Sequence, residues 1–539
     1  MRKAIDEGVR RAPSRVSSSV MALLLTAAQM RAMDSALIEK LGLPGLVLME
    51  NAGRGVADVI ERERPELAGL EVRIVCGAGQ NGGDGFVIAR HLLRQGAKVR
   101  VLLALPREKV TGDAAVFANA LQTIDPNCIQ DLSSERDAKV WQTSLAGAAI
   151  VVDALFGTGL RSQVAGVPAA AIAAINATNA LRVSVDIPSG LDADDGTVHG
   201  CAVQAHITVT MACRKLGLVL DADAPVGRIE VVHLGVAVES VLAAARAIGP
   251  LCFWLESEDI VPPARPATGH KGTAGHLLVI AGSVGKTGAA LLVARAALRS
   301  GAGLATIATT RLAQTALEAK VVSEMTTCYA VGEAADDSSF ATLEAQSARM
   351  KAAVLGPGIP TGPGMAELVR KLVTDLAIPM VVDADALNLL GTEAAALVVK
   401  AAAPRILTPH PGEMARLCGC TTSEVAKDRL GLARRLAAES GAVVVLKGAR
   451  TIVAIPDGTA YVNPTANASL GTAGSGDVLS GTIGALLAQG FDSGNAACTG
   501  VFLHGAAADQ ATRALGSGNL IATDLPDAIA RACEALRPV

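Results

Sequence analysis

Aromatic side chains are scarce: two Trp, two Tyr and seven Phe make up 2% of the 539 residues, although half the chain is hydrophobic. The core must therefore be built from Ala, Val, Leu and Ile. With 55 glycines beside them, that composition suits helices packed on a sheet better than two sheets packed face to face. A strong charge of either sign is also missing. A formal net charge of −3 gives no general pull toward nucleic acid or anionic lipid. No uncharged apolar run approaches the length of a membrane-spanning helix. The ten cysteines are scattered, and the closest pair, Cys418 and Cys420, has no partner pair at zinc-site spacing. That pattern reads as reduced cytoplasmic thiols rather than a disulfide framework.

The chain is too long for one ordinary core, so two or three domains are expected. Its first twenty residues are Arg- and Ser-rich, as a transit peptide would be. They also carry Asp6 and Glu7, and no cleavage region follows the short MALLL run. They read as a disordered tail, or as the product of a start placed upstream of Met21. From Glu71 short apolar strands alternate with amphipathic helices: EVRIVCG, KVRVLLALP, then 148–156, 181–189, 206–212 and 228–235. This pattern predicts a parallel sheet covered on both faces. The segment before it reads as two helices broken near Gly42–Pro44. Regularity lapses over 240–268, which places a domain boundary near residue 245. A second α/β series begins at GHLLVIAGS, continues through LATIATT, AAVLGPG, PMVVDADAL, RILTPHPGE and AVVVLKG, and ends with GTAGSGDVLSGTIGALLAQG. The expected organisation is a tail over 1–20, a first domain over 21–240, a linker over 241–267 carrying the start of the second domain, and a second domain over 268–539.

Two glycine-rich turns, one in each half, end in an aspartate: Gly77–Gly85 and Gly471–Asp477. Glycine lets backbone approach an anion, and a following helix N-terminus adds N–H donors and a favourable dipole. A carboxylate in such a turn is there for a cation, a hydroxyl or a proton. Gly77, Gly79 and Gly82 match the dinucleotide fingerprint. A nicotinamide-binding domain, however, needs an acidic residue at the end of the next strand, and that strand ends in Ala104, Leu105 and Pro106. The first turn offers Gln80, Asn81 and Asp84 instead. Asp153 and Ser189 stand at two further strand ends, and Asp186 and Asp192 lie beside Ser189. All would converge beyond the C-terminal ends of a parallel sheet. Amide, carboxylate and hydroxyl oxygens from Asn81, Asp153 and Ser189 suit an alkali-metal ion better than zinc.

NGGDG, DALFGTG and VDIPSGLDADDG, in that order and spacing, resemble the YjeF N-terminal domain of the NAD(P)H-hydrate epimerase family over about 21–240. The resemblance implies K+ on Asn81, Asp153 and Ser189. It also implies a damaged nucleotide held by Gln80, Asn81, Gly82, Gly83 and Asp84, by Gly157, Thr158, Gly159, Leu160, Arg161, Ser162 and Gln163, and by Asp186. Members of the family commonly read NNGGDG, whereas this chain has Gln80 in the first position. The implied chemistry is epimerisation at C6 of a hydrated nicotinamide, with Asp186 as the acid/base.

In the second half, glycines 471, 474 and 476 lead into an amphipathic helix, so the N–H groups of Ala473–Gly476 make an anion pocket. Asp477 stands where it could take a proton from a hydroxyl attacking a phosphoryl group. GSVGKTG (Gly282–Gly288) imitates a phosphate-binding loop, but G-x-x-x-x-G-K-[ST] needs glycine at 280, where Ile280 stands. It reads as a flexible turn facing the ligand. His410, between two prolines and followed by Gly412–Glu413, is expected at a ligand rather than only capping its turn.

HKGTAGHLLVIAGS, LGPG, VVDADALN, TPHPGE, KGA and GTAGSGD together resemble the ADP-dependent NAD(P)H-hydrate dehydratase family of the ribokinase-like superfamily over about 268–490. That match puts the hydrate at Ala289, Gly358, His410 and Asp477. It puts the adenine nucleotide along Lys447, Gly448, Ala449, Arg450, Thr451 and Gly476. ADP is the implied co-substrate. Mg2+ would neutralise its phosphates, although the sequence displays no dedicated ligands for it. The implied fold class is α/β, a Rossmann-like αβα sandwich followed by a ribokinase-like αβα domain. The implied partners are NADHX, NADPHX and ADP, with no nucleic acid or membrane, in a homo-oligomer. Two other readings are a vitamin or sugar kinase fused to a binding domain, and a non-catalytic nucleotide sensor in the first half.

Overall fold

The computed structural model describes residues 22–263 and 268–537, and the tail expected over 1–20 lies outside the described residues. The chain divides into two compact units between Leu251 and Cys252. The division falls beyond residue 245 because the linker expected over 241–267 begins inside a helix, Val238–Ile248. That helix buries Val241 and Ala245 and packs on the helix Ala27–Glu39.

The strands of the first unit are β1 (Leu23–Leu25), β2 (Glu71–Cys76), β3 (Lys98–Leu103), β4 (Ile129–Asp131), β5 (Ile150–Ala154), β6 (Leu181–Val185), β7 (Ile207–Met211), β8 (Arg214–Lys215) and β9 (Arg228–Val232). One all-parallel sheet runs in the order β4-β3-β2-β5-β6-β7-β9, and β1 pairs with β8. Every residue of β5 and β7 is buried, as a sheet covered on both sides requires. Because side chains alternate along a strand, Val75 meets Trp141, Ile172 and Ile175 of two helices on one face. Cys76 and Ile74 meet the helix Gln80–Arg94 on the other; a Cβ on Gly85 would lie 2.5 Å from Cys76 Sγ. The chain crosses from β4 back to β5, beside β2, so the switch in strand order opens a crevice beyond the ends of β2 and β5.

The second unit contains β10 (Cys252–Trp254), β11 (His276–Ile280), β12 (Leu304–Thr310), β13 (Met325–Ala330), β14 (Ala352–Leu355), β15 (Met380–Val382), β16 (Arg405–Leu407), β17 (Val443–Leu446), β18 (Ile452–Ala454) and β19 (Ala460–Val462). Within the unit the order is β13-β12-β11-β14-β15-β16-β17-β18-β19-β10. Pairing is parallel as far as β17, antiparallel through β18 and β19, then parallel onto β10. The α/β rhythm of the sequence predicted β11, β12 and β14 to β17. The edge strand β13, the β18–β19 hairpin and β10 have weaker apolar patterns. Helix Ser475–Ala488 is buried from Val478 to Ala488. Its small residues allow this: a Cβ on Gly481 would lie 2.2 Å from the Val293 carbonyl oxygen, and one on Gly484 2.5 Å from Val354. Among the described residues no helix is long and apolar enough to cross a membrane.

Candidate functional site

In the first unit the glycine turn is shorter than expected. Helix Gln80–Arg94 begins at Gln80, so Gln80–Asp84 is its first turn rather than a loop. The glycines serve close packing: a Cβ on Gly82 would lie 2.0 Å from the Gly77 carbonyl oxygen, and one on Gly77 2.1 Å from that of Leu155. Gln80 is exposed, Asn81, Gly82 and Gly83 are buried, and Asp84 is half-buried. The Asn81 amide nitrogen is buried with no hydrogen-bond partner.

Asp153, in β5, is 1% exposed. The Ser189 hydroxyl (2.6 Å) and amide (2.9 Å), the Ser184 hydroxyl (2.8 Å) and the Leu155 amide (3.3 Å) all donate to its carboxylate. Burial still holds this carboxyl above the ordinary range, against the lowering effect of those bonds. The Phe156 amide donates to the Ser189 hydroxyl at 2.9 Å, and Gly157 lies against Asn81. Asn81, Asp153 and Ser189 are therefore gathered at the ends of β2, β5 and β6. Thr158 and Leu160 are half-exposed, and Gly159, Arg161, Ser162 and Gln163 are exposed. Arg161 pairs with Asp194 at 3.3 Å and Asp192 at 3.6 Å.

Asp186 follows β6 with φ 67°, a left-handed conformation uncommon outside glycine. Its neighbours close a tight turn, the Ile187 amide donating to the Val185 carbonyl at 2.8 Å. The adjacent strand β7 ends in the same way: Ala212 has φ 60°, and the Cys213 amide donates to the Met211 carbonyl at 2.7 Å. Turns of this three-residue, positive-φ kind are rare and strained, and such strain gathers at functional sites. The second turn folds β8 back, so that Lys215, fully buried, brings its ammonium onto Asp186 Oδ1. Asp34 and Asp84 act electrostatically on the pair. Burial first, then Asp186, raises the Asp84 carboxyl well above the ordinary range. Burial likewise pushes Asp34 up to about 6, against the pull of Lys215. Sequence reading missed Lys215 and Asp34. A lysine soon after a strand and directly before the apolar run LGLVL, within MACRKLGLVL, was the available signal.

In the second unit Asp477 occupies the first turn of helix Ser475–Ala488, behind Gly474 at φ 88°. Burial first, then the Asp383 charge, pushes its carboxyl up to about 7, while Lys447 opposes them. Asp383, directly after β15, is 1% exposed. It accepts from the Ser480 hydroxyl at 2.7 Å and from Lys447 Nζ at 2.7 Å. Lys447 follows β17 and also stands 3.7 Å from Glu413. A Cβ on Gly476 would lie 3.4 Å from its Nζ, so this cation borders the N–H groups of the anion pocket. Asp383 was missed as a site residue, although it stands at a strand end within VVDADALN.

His410 is exposed and caps helix Pro411–Cys418. Its Nδ1 accepts from the amides of Gly412 (3.0 Å) and Glu413 (3.3 Å), and the Glu413 carboxylate accepts from the His410 amide at 2.8 Å. The capping role thus exists, and it orients Glu413 toward Lys447. Gly358, at φ 65°, borders Ala289, a Cβ there lying 3.2 Å from that of Ala289, and its carbonyl accepts from Ser283 at 2.8 Å. Lys286, in the turn that imitates a phosphate-binding loop, pairs with Asp385 at 3.1 Å. Beyond Lys447, Gly448 and Ala449 are exposed. The Arg450 guanidinium lies 4.8 Å above the Trp254 ring, and the Thr451 hydroxyl donates to the Gly448 carbonyl at 3.0 Å.

Two α/β units, each with titratable groups massed at the C-terminal ends of its parallel strands, define an enzyme with two separate sites. Residues 45–217 match the family described as YjeF-related protein N-terminus, and residues 277–531 match NAD(P)H-hydrate dehydratase. The bifunctional NAD(P)H-hydrate repair enzyme Nnr of Moorella thermoacetica is 43% identical, over 94% of this chain and 95% of that protein. The enzymes of the same name from Thermofilum pendens and Escherichia coli are 38% and 36% identical, over 94% and 90% of this chain and 96% and 89% of theirs. A solved structure, the ADP/ATP-dependent NAD(P)H-hydrate dehydratase of Bacillus subtilis, is 31% identical, covers 53% of this chain and 98% of its own, and has a TM-score of 0.46. The chain belongs to the family of bifunctional NAD(P)H-hydrate repair enzymes.

Proposed function

We propose that the first unit interconverts the R and S hydrates of NADH and NADPH, and that the second returns the S hydrate to the reduced nucleotide at the expense of ADP. The observation that carries this reading is Asp477, a carboxyl poised at about 7 in the first turn of a helix behind a glycine turn. A group of that kind can take a proton near neutral pH. The C6 hydroxyl of the hydrate would lose its proton to Asp477 while attacking the terminal phosphoryl group of ADP. The P–O bond to AMP breaks with its electrons on AMP. Phosphate, a far better leaving group than hydroxide, then departs from C6 with the C–O electrons, and loss of a ring proton restores the dihydronicotinamide. The N–H groups of Ala473, Gly474 and Gly476 and the nearby Lys447 ammonium would balance phosphate charge. Mg2+ is proposed to arrive on the ADP phosphates. The hydrate is proposed to lie by Ala289 and Gly358, and the adenine nucleotide along Gly448–Thr451.

In the first unit, Asp186 is the proposed acid/base. The C6–O bond breaks with both electrons on oxygen, which takes a proton and leaves as water. Water then adds from the opposite face and gives up a proton. The donors around Asp153 fit a monovalent cation: one buried carboxylate, the Ser189 hydroxyl, and an Asn81 amide with an unpartnered buried atom. Turning that amide would present its oxygen instead. K+ held there would offset negative charge beside the nucleotide. The damaged nucleotide would contact the 157–163 segment, which is exposed at Gly159 and from Arg161 to Gln163. The cysteines are all free thiols, which supports a reducing, cytoplasmic setting.

Incubating the chain with mixed hydrates and ADP, and following reduced-nicotinamide absorbance, tests the whole reading. Full recovery is expected. Recovery that stops at the S fraction refutes the epimerase half. Phosphorylation of a vitamin alcohol by ATP, with no action on the hydrate, refutes the dehydratase half.

A further inference from the structure

Asp186 Oδ1 is the crowded oxygen of its carboxylate. The Lys215 ammonium contacts it, and the Thr210 hydroxyl and Met211 amide each lie 3.4 Å away. The Lys215 ammonium is used in turn by three acceptors: Asp186, the Thr210 hydroxyl at 2.8 Å and the Met211 carbonyl at 3.2 Å. Lys215 is fully buried, whereas the Asp186 side chain keeps 16% of its surface exposed. With its three protons occupied, Lys215 has none free for a substrate. It anchors one carboxylate oxygen and leaves Oδ2 as the open one.

Two adjacent strand ends create this arrangement. Asp186 at φ 67° and Ala212 at φ 60° turn the chain sharply after β6 and after β7. The first turn throws the aspartate out of the sheet line, and the second brings Lys215 back beneath it. Two neighbouring departures from ordinary backbone are costly. A buried lysine is costly as well unless it is paired. All of these costs converge on one contact.

We propose that Lys215 is the positioning residue of the epimerase site, holding Asp186 by Oδ1 so that Oδ2 alone exchanges protons with the C6 oxygen of the hydrate. The proposal rests on the epimerase reading of the first unit. The groups that face the pair are Asp34 from helix Ala27–Glu39, Asp84 from helix Gln80–Arg94, and Cys213 two residues before Lys215.

The experiment uses the full chain with R-enriched NADHX, with kcat and KM measured for conversion of the R fraction. Lys215→Met should lower kcat about 10²-fold with little change in KM, because a carboxylate no longer held by Oδ1 is misplaced for proton transfer. Thr210→Val, nearly isosteric, removes one anchor of the ammonium and one neighbour of Oδ1, and it should lower kcat in the same way by less. It decides the matter alone if Lys215→Met does not fold. A folded variant that keeps the parental kcat, or that loses rate only through a raised KM, overturns the role of Lys215. An unaltered chain that never converts the R fraction overturns the epimerase reading instead.

Discussion

The Lys447 ammonium lies 2.7 Å from Asp383 Oδ1 and 3.7 Å from Glu413 Oε2, so carboxylates from the ends of two neighbouring strands, both at most 4% exposed, share one cation. Removing one partner of a buried pair leaves the other charge uncompensated. Lys447→Met is expected to destabilise the second unit by about 3–5 kcal/mol and to abolish dehydration. Denaturant unfolding should show the loss, with R/S interconversion retained.

Asp477 is expected to lower the dehydration barrier as a base. Asp477→Asn keeps the shape and removes the proton acceptor, so the rate of nucleotide recovery from the S hydrate should fall about 10²–10⁴-fold. Single-turnover kinetics with ADP would measure it. A variant as fast as the parent would remove Asp477 from the chemistry.

The same residue links stability to pH. Its carboxyl is raised in the folded chain from 3.8 to about 7, so the native state binds the proton more tightly than the unfolded state. The stability this contributes is fully present below about 4 and is lost as pH rises through about 7. Asp477→Asn should therefore flatten the fall in stability between pH 5 and 8. Denaturant midpoints of parent and variant across that range would converge at low pH and separate above neutrality.

Ser189 should matter to the first unit alone. Its hydroxyl donates to buried Asp153 at 2.6 Å and accepts from Phe156 at 2.9 Å. Ser189→Ala strands both, at a cost of about 1–3 kcal/mol. The proposed K+ would lose a ligand too. Epimerisation should slow and lose its response to K+, while dehydration of pure S hydrate stays at the parental rate.

His410 separates capping from ligand contact. His410→Ala removes the helix cap, worth about 1 kcal/mol, and loosens Glu413. His410→Asn restores a good cap without the ring. Recovery of dehydration in the Asn variant is expected if positioning Glu413 is the main role. Persistent loss, seen as a raised KM for the hydrate, would point to direct contact.

Much of the fold was legible because apolar strands and amphipathic helices are local patterns. IVVDA, ITVTM and VVVL announce buried parallel strands by composition alone. The hairpin Ile452–Val462 and the edge strand Met325–Ala330 were less visible, since edge and mixed-polarity strands lack a continuous apolar run. Gln80–Asp84 misled for a different reason. Two glycines inside a helix read as a loop from propensity, but here they are demanded by the Gly77 carbonyl and by Met49 packed against them.

By itself the sequence determined two α/β units, the glycine turns before their key helices, and the polar residues that follow strands or open helices: Asn81, Asp153, Asp186, Ser189, His410 and Asp477. Those follow from periodicity and spacing along the chain. Only the tertiary structure decided which charges meet. Lys215 reaches Asp186 through two positive-φ turns, and Lys447 joins Asp383 and Glu413 across three strands. Such pairings join residues dozens of positions apart, and burial away from water then makes each pairing obligatory.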